Sequence, residues 1–254
     1  MSDFEAKPFP FRDWDSGSMK MVDRQPVHLP IDWVDQVQIS APPGPACIEV
    51  ECRAVFAATT ERPMRQQAIV DQARVYDKLV DAVLDVVAAG AAVPNTREMI
   101  RAAFWDLTPG VFRVKMTYNR GRPAFCCTLD MDAMFPPGDD DHPGHPSYPS
   151  GHSSQAFTMA YLLTMIRPES RKGLMAAAYS VGRNREIAGL HYASDTAGGR
   201  ELAEGFVGLL MKSPTFLAVF AKAKAELDAL AMIQAAAQPV AANAKAEEAA
   251  LVTP

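Results

Sequence analysis

Three stretches of this sequence concentrate side chains able to hold and attack an oxyanion. "KMTYNRGRP" carries Lys115, Arg120 and Arg122 ahead of Pro123, and "GRNREIAGLHYASD" carries Arg183, Arg185, His191 and Asp195. Between them, "SYPSGHSSQAF" sets Ser150, Gly151 and His152 directly before a run of helix-forming apolar residues. A helix N-terminus presents unpaired N–H groups and the positive end of the helix dipole, so it is already an anion site. Gly151, without a Cβ, lets backbone approach a ligand closely. Arginine offers a planar fork matched to two oxygens and lysine a point charge. Asp195 follows His191 by four residues, a spacing at which a helical path brings a carboxylate to an imidazole.

Each feature also has a purely structural explanation. Lys115 and Arg122 suit a solvated helix face, His191 a hydrogen-bonded core position, and Asp195 the cap of a helix starting at Thr196. Ser153 or Ser154 would serve as cap after a Pro-Gly turn. The loop "GDDDHPGHPSYPSGH" adds His142, His145 and Asp139–Asp141, a conceivable metal cluster. Its prolines fit an exposed loop better, and the spacing lacks the i, i+4 form of a helical metal site, so no metal is expected. Cysteines stand at 47, 52, 126 and 127 in no zinc-ligand pattern. A Cys47–Cys52 loop is possible, but buried thiols are the expectation.

These groups need a scaffold, and periodicity supplies one. In "RQQAIVDQARVYDKLVDAVLDVVAAG", Ile69, Ala73, Tyr76, Val80, Val83 and Val87 form one helical stripe ending at Gly90. "NTREMIRAAFWDL" follows as a second helix with Asn95 or Thr96 as cap. Further helices are expected after His152, over about 168–188 and 195–212, and after Pro214. The first 62 residues read as an irregular arm with one extended run, "CIEVECRAVF", and 237–254 as a frayed Ala-rich tail. The reading is all-α, with one compact helical domain over 63–236. No solenoid-type repeat appears.

Charge and composition bound the rest. A formal charge of −5 and 48% hydrophobic residues in 254 describe an ordinary globular chain, with no basic surface for general nucleic-acid binding. "AFTMAYLLTMI" is too short to span a bilayer, which takes ~20 residues, so no membrane span is expected. "MSDFEAKPFPFRDWDSG" has no basic segment leading an apolar core, which argues against a signal peptide and for a cytoplasmic address.

The spacings agree with one pattern. Lys115, six residues, then Arg122-Pro123; Pro149-Ser150-Gly151-His152; Arg185, five residues, His191, three residues, Asp195. This resembles the signature shared by class A bacterial non-specific acid phosphatases, lipid phosphate phosphatases and vanadium haloperoxidases. The likeness is greatest to the class A acid phosphatases and covers about Phe112 to Leu227. One departure is Asn184, where the family normally has Ser.

The resemblance implies an all-helical fold and a metal-free acid phosphatase acting on small phosphate monoesters, with phosphotransferase activity a possible extension. His191 would be the nucleophile, oriented by Asp195 and passing through a phosphohistidine. His152, starting protonated, would serve the leaving group. Lys115, Arg122, Arg185, Ser150 and Gly151 would bind the phosphate. The family implies a dimer or larger homo-oligomer and a periplasmic address. Rival readings are a vanadate-dependent peroxidase, with vanadate as its cofactor at His191, and a non-catalytic phosphate binder. The loop "DMDAMFPPGDDDHPGHPSY", between two of the phosphate-binding blocks, is expected to form part of the pocket rim, with Phe125, Met131, Met134 and Phe135 either as contacts for an apolar or aromatic leaving group or, equally, as core residues.

Overall fold

The computed structural model describes residues 4–127, 134–135 and 143–251, with side chains through 236. Its spine is the 25-residue helix α5, Pro94–Tyr118. Proline at the first turn suits a helix start, where its missing N–H is not needed. The cap is not Asn95 or Thr96 but a carboxylate from elsewhere. Glu226 accepts from Asn95 N at 3.0 Å, Thr96 N at 2.8 Å and Thr96 Oγ1 at 2.7 Å. Glu226 lies in α10, Pro214–Leu251, which packs along α5. The helix ends where Asn119 turns left-handed at φ 41°.

The helix α7, Gly151–Ile166, is apolar nearly all round and therefore sits at the centre of the core. It packs between α8, Arg171–Ile187, and α9, Ala193–Leu210. Gly199 permits the α9 approach, since a Cβ there would lie 2.7 Å from Ser150 O. Among the described residues there is no β-strand, only the isolated bridges Phe4–Cys127 and Pro8–Arg120. Nor is any single described helix long and apolar enough to cross a membrane; α9 and the described part of α10 reach that length and apolarity only as a pair, bent by 101°.

Three sequence expectations are corrected. The stripe over 63–90 is two helices, α3 (Arg62–Arg74) and α4 (Tyr76–Ala88), separated by extended Val75. Ile69 of α3 packs with Ala58, Ile187 and Leu190, whereas Val80 and Val83 of α4 join the main core. The break lets each helix face its own cluster. "CIEVECRAVF" contributes the helix α2, Ile48–Ala58, not an extended run. Ile48, Cys52 and Val55, spaced four and three apart, are buried while Val50 and Phe56 face outward, so the helical period prevails over alternation. Finally, Cys52 is bonded to Cys127, leaving exposed Cys47 and buried Cys126 as thiols.

The arm before α2 is also more ordered than expected. It contains α1, Ser16–Val22, capped by Asp15, which accepts from Ser18 N at 2.6 Å. Trp33 lies fully buried over Gly110, where a Cβ would fall 2.1 Å from the indole, and its Nε1 donates to Asp106 O at 3.1 Å. Asp106 in turn accepts Val27 N and His28 N, both at 2.7 Å. The Ala-rich stretch continues as helical backbone to Leu251, and its side chains beyond 236 lie outside the described residues.

The Cys52–Cys127 bridge joins residues 75 apart. In the chain-entropy account, a loop of that length is worth about 4 kcal/mol. Replacing both cysteines by serine should lower the unfolding free energy by about that amount, measured by urea denaturation, and added reductant should then have no further effect.

Candidate active site

The three motifs converge on a cavity of about 170 Å³. Lys115, Arg122, His145, His152, Arg185 and His191 line it, together with the apolar Leu107, Val111 and Phe112 of α5. Apart from His145, in the loop before α7, these polar members sit at or beside element ends. Lys115 lies in the last turn of α5, and Arg122 precedes the short helix α6, Pro123–Cys126. His152 opens α7, Arg185 sits near the end of α8, and His191 and Asp195 flank the start of α9.

The cations are buried and mostly held by carbonyl oxygens. Lys115 Nζ donates to Pro146 O at 2.7 Å, Ser147 O at 3.0 Å and Pro149 O at 2.7 Å. It therefore shapes the loop leading into α7 as well as bordering the cavity. Burial and neighbouring Arg122 push its ammonium well below the usual value, with Asp195 opposing. Arg122 Nε donates to His145 O and Nη1 to Leu190 O, both at 2.8 Å, while Nη1 also lies 3.3 Å from His191 Nε2. Arg185 is buried, its guanidinium carbon 6.0 Å from the centre of the Phe135 ring.

His191 is fixed on both nitrogens. Nδ1 lies 3.2 Å from Asp195 Oδ2, and Nε2 faces the Arg122 guanidinium. A carboxylate accepts and a guanidinium only donates, so Nδ1 carries the proton and Nε2 the lone pair. Burial first, then Arg122, holds the imidazole down at about 3, so it is neutral near neutral pH. Burial tends to raise Asp195, but His191, Arg120 and the Tyr192 N–H together bring it to about 2.

His152 Nε2 lies 3.2 Å from Gln72 O in α3. A carbonyl cannot donate, so that nitrogen is protonated and Nδ1 is the one able to exchange a proton. The expectation that His152 starts protonated meets opposition here. Burial, Arg185 and His191 push it well below the ordinary histidine value, so the protein's own charges favour the neutral ring.

Other expected residues sit around this centre. Ser150 caps α7, its Oγ 3.4 Å from Ser153 N, and its own N–H donates to Asp195 O at 3.0 Å. Gly151 lines the cavity, where a Cβ would meet Val111 only at an ordinary 3.8 Å, leaving its role to the space beside it. Asp195 is the third residue of α9, not a cap before Thr196. Asn184 bridges helices, donating to Gln72 Oε1 at 2.9 Å and accepting from Arg65 at 3.0 Å. Phe125 packs edge-on against Phe9, and Phe135 is buried beside Ile69 and Ile187. Met131, His142 and Asp139–Asp141 lie outside the described residues.

Sequence reasoning missed Gln72, whose carbonyl sets the His152 tautomer, and gave His145 no role at the cavity. His145 Nδ1 is 3.0 Å from Arg122 Nη2, and its ring stands edge-on to Phe112 at 5.1 Å. Burial, Lys115 and Arg122 hold it well below the usual histidine value. Among the described residues no group of three or more His, Cys, Asp or Glu side chains has a geometry able to hold a metal ion.

The chain is similar to known proteins. Residues 100–217 match the model of the PAP2 superfamily. A non-specific acid phosphatase of Providencia stuartii is 35% identical over 118 residues, which is 44% of this chain and 44% of that relative's length. One from Salmonella typhi is 27% identical over 225 residues, covering 80% of this chain and 84% of the relative. An acid phosphatase of Zymomonas mobilis is 25% identical over 144 residues, 54% of this chain and 52% of the relative.

The three depressed histidines set a pH dependence. Unfolded, each binds a proton near pH 6.5; folded, His145, His152 and His191 do so only at lower pH. The unfolded chain therefore holds more protons in this window, and stability falls as pH drops below about 6.5. His191 alone, at about 3 when folded, accounts for ~2 kcal/mol of loss between pH 7 and 5. The other two act in the same direction. Urea denaturation at both pH values should show the loss, and millimolar inorganic phosphate should reduce it by offsetting the cavity's cations.

Proposed function

We propose that this chain, a member of the PAP2 superfamily through residues 100–217, is an acid phosphatase that hydrolyses phosphate monoesters by way of a phosphohistidine. The observation that carries the reading is the state of His191: proton fixed on Nδ1 by Asp195, lone pair on Nε2 at a cavity bordered by Lys115, Arg122 and Arg185. The names of the Providencia, Salmonella and Zymomonas relatives point the same way.

The phosphoryl group spreads negative charge over its equatorial oxygens in the transition state, so placement and cationic stabilisation dominate. The Arg122 donor beside Nε2 turns to a phosphoryl oxygen, and Arg185 and Lys115 add positive potential. His191 Nε2 then bonds to phosphorus as the ester P–O bond breaks. Ordinary phosphate monoesters lose their second proton near pH 6, so a mildly acidic medium delivers monoanion. That proton passes to His152 Nδ1, overcoming the cations that keep the ring neutral, and then to the departing alkoxide. In the second step His152 takes a proton from water, the hydroxyl attacks phosphorus, and the P–N bond to His191 breaks. An alcohol in place of water would give phosphotransfer.

The protein's cations supply the neutralisation, so no metal is needed. Leu107, Val111 and Phe112 line the cavity, where Phe125, Met134 and Phe135 do not, and their apolar side chains favour apolar and aromatic alcohols as leaving groups. Hydrolysis of p-nitrophenyl phosphate should persist in EDTA. His191→Ala should lose at least about a thousandfold in kcat, together with an acid-labile, base-stable phosphoenzyme trapped by rapid quench. Near wild-type turnover by this variant would move the nucleophile elsewhere.

A further inference from the structure

We propose that Arg120 is a positioning residue for this reaction, fixing the Asp195 carboxylate against His191 while being held itself by Glu51 of α2. The proposal rests on the phosphatase reading for its kinetic consequences and on geometry for the coupling. Arg120 Nη1 donates to Asp195 Oδ1 and to Ser194 Oγ, each at 2.7 Å. Its Nη2 donates to Glu51 Oε2, and Ser194 Oγ donates to Glu51 Oε1, closing a ring of three side chains from which the bond to Asp195 branches. The guanidinium lies 4.1 Å from the centre of the Tyr192 ring, a cation–π contact that limits its tilt.

This ring leaves Asp195 little freedom. Oδ1 is taken by Arg120, and Oδ2 accepts from Tyr192 N at 3.0 Å and from His191 Nδ1. Rotation of the carboxylate would break contacts on both oxygens. Among the described residues neither Asp195 nor Arg120 borders the cavity, so Arg120 acts only through the carboxylate. Arg120 and Glu51 are 11% and 13% exposed, enough burial to keep the pair from being a screened surface contact.

Arg120 also tempers how strongly Asp195 draws a proton onto His191. Without it the carboxylate keeps its charge but loses its counter-cation, and the imidazole takes a proton more readily. The other groups facing His191 are Arg122, Lys115, His145 and His152, and substitution at 120 alters none of them.

The test compares Arg120→Gln, Arg120→Lys and wild type in p-nitrophenyl phosphate hydrolysis across pH. Arg120→Gln should move the acid limb of kcat/KM upward by about half a pH unit or more and lower kcat about tenfold or more, with KM changing less. Substrate ionisation is common to all three enzymes and cancels in the comparison. Arg120→Lys retains the charge without the fork, so the acid limb should return to its wild-type place while kcat stays low. An unmoved limb in Arg120→Gln, or wild-type kcat in Arg120→Lys, overturns the proposal; if the glutamine variant fails to fold, the lysine variant decides. Wild-type protein without hydrolytic activity refutes the phosphatase reading instead. The coupling is then judged by imidazole NMR titration of His191 in the same variants, where an unchanged titration overturns it.

Discussion

Everything at this site depends on keeping several positive groups buried side by side with one buried carboxylate. Like charges in a low-dielectric setting repel, and each loses its hydration. The fold meets this with carbonyl oxygens. Lys115 takes three of them from the loop before α7, and Arg122 takes those of His145 and Leu190. Prolines at 146 and 149 suit that loop, because they contribute carbonyls without bringing N–H donors of their own. The loop's course and the placement of charge are thus one problem with one solution. An oxyanion arriving there would meet positive charge already in place, which is the condition for electrostatic stabilisation.

The three motif blocks were legible because their side chains sit in short fixed spacings. Arg122, His152, Arg185 and His191 all border one cavity, and Asp195 lies behind it on His191. What sequence could not give was the use of each donor. Lys115 looks like a ligand for an anion, and only the folded loop reveals three carbonyls around it. Gln72 acts through its backbone, which no side-chain pattern advertises. Arg120 stood in a segment already singled out, two residues before Arg122, yet its partners Glu51 and Ser194 come from far along the chain.

The fold was legible where apolar period and breakers agreed, as in α7 to α9. It was misread where a local pattern had two readings. Val75 carries no helix-breaking signal, and the interruption there reflects two separate clusters that α3 and α4 must face. In "CIEVECRAVF" apolar residues occupy positions fitting both periods, and burial of Ile48, Cys52 and Val55 decides for helix. The cysteine pairing depended on bringing α2 beside the end of α6, a tertiary fact. The cap of α5 likewise comes from Glu226, more than a hundred residues away.

The indole of Trp33 seated on Gly110 has a bearing on where this protein's working unit ends. The stretch that matches the PAP2 superfamily model begins at residue 100, yet Gly110 inside it has a shape complete only with a tryptophan from the preceding segment. The same helix leans on Val27 and His28 through Asp106. Inherited similarity and mechanical self-sufficiency therefore have different borders in this chain. The leading residues are a buttress of the helix that carries Lys115, and an exchange of that segment between relatives would have to bring along a matching side chain for the notch at 110.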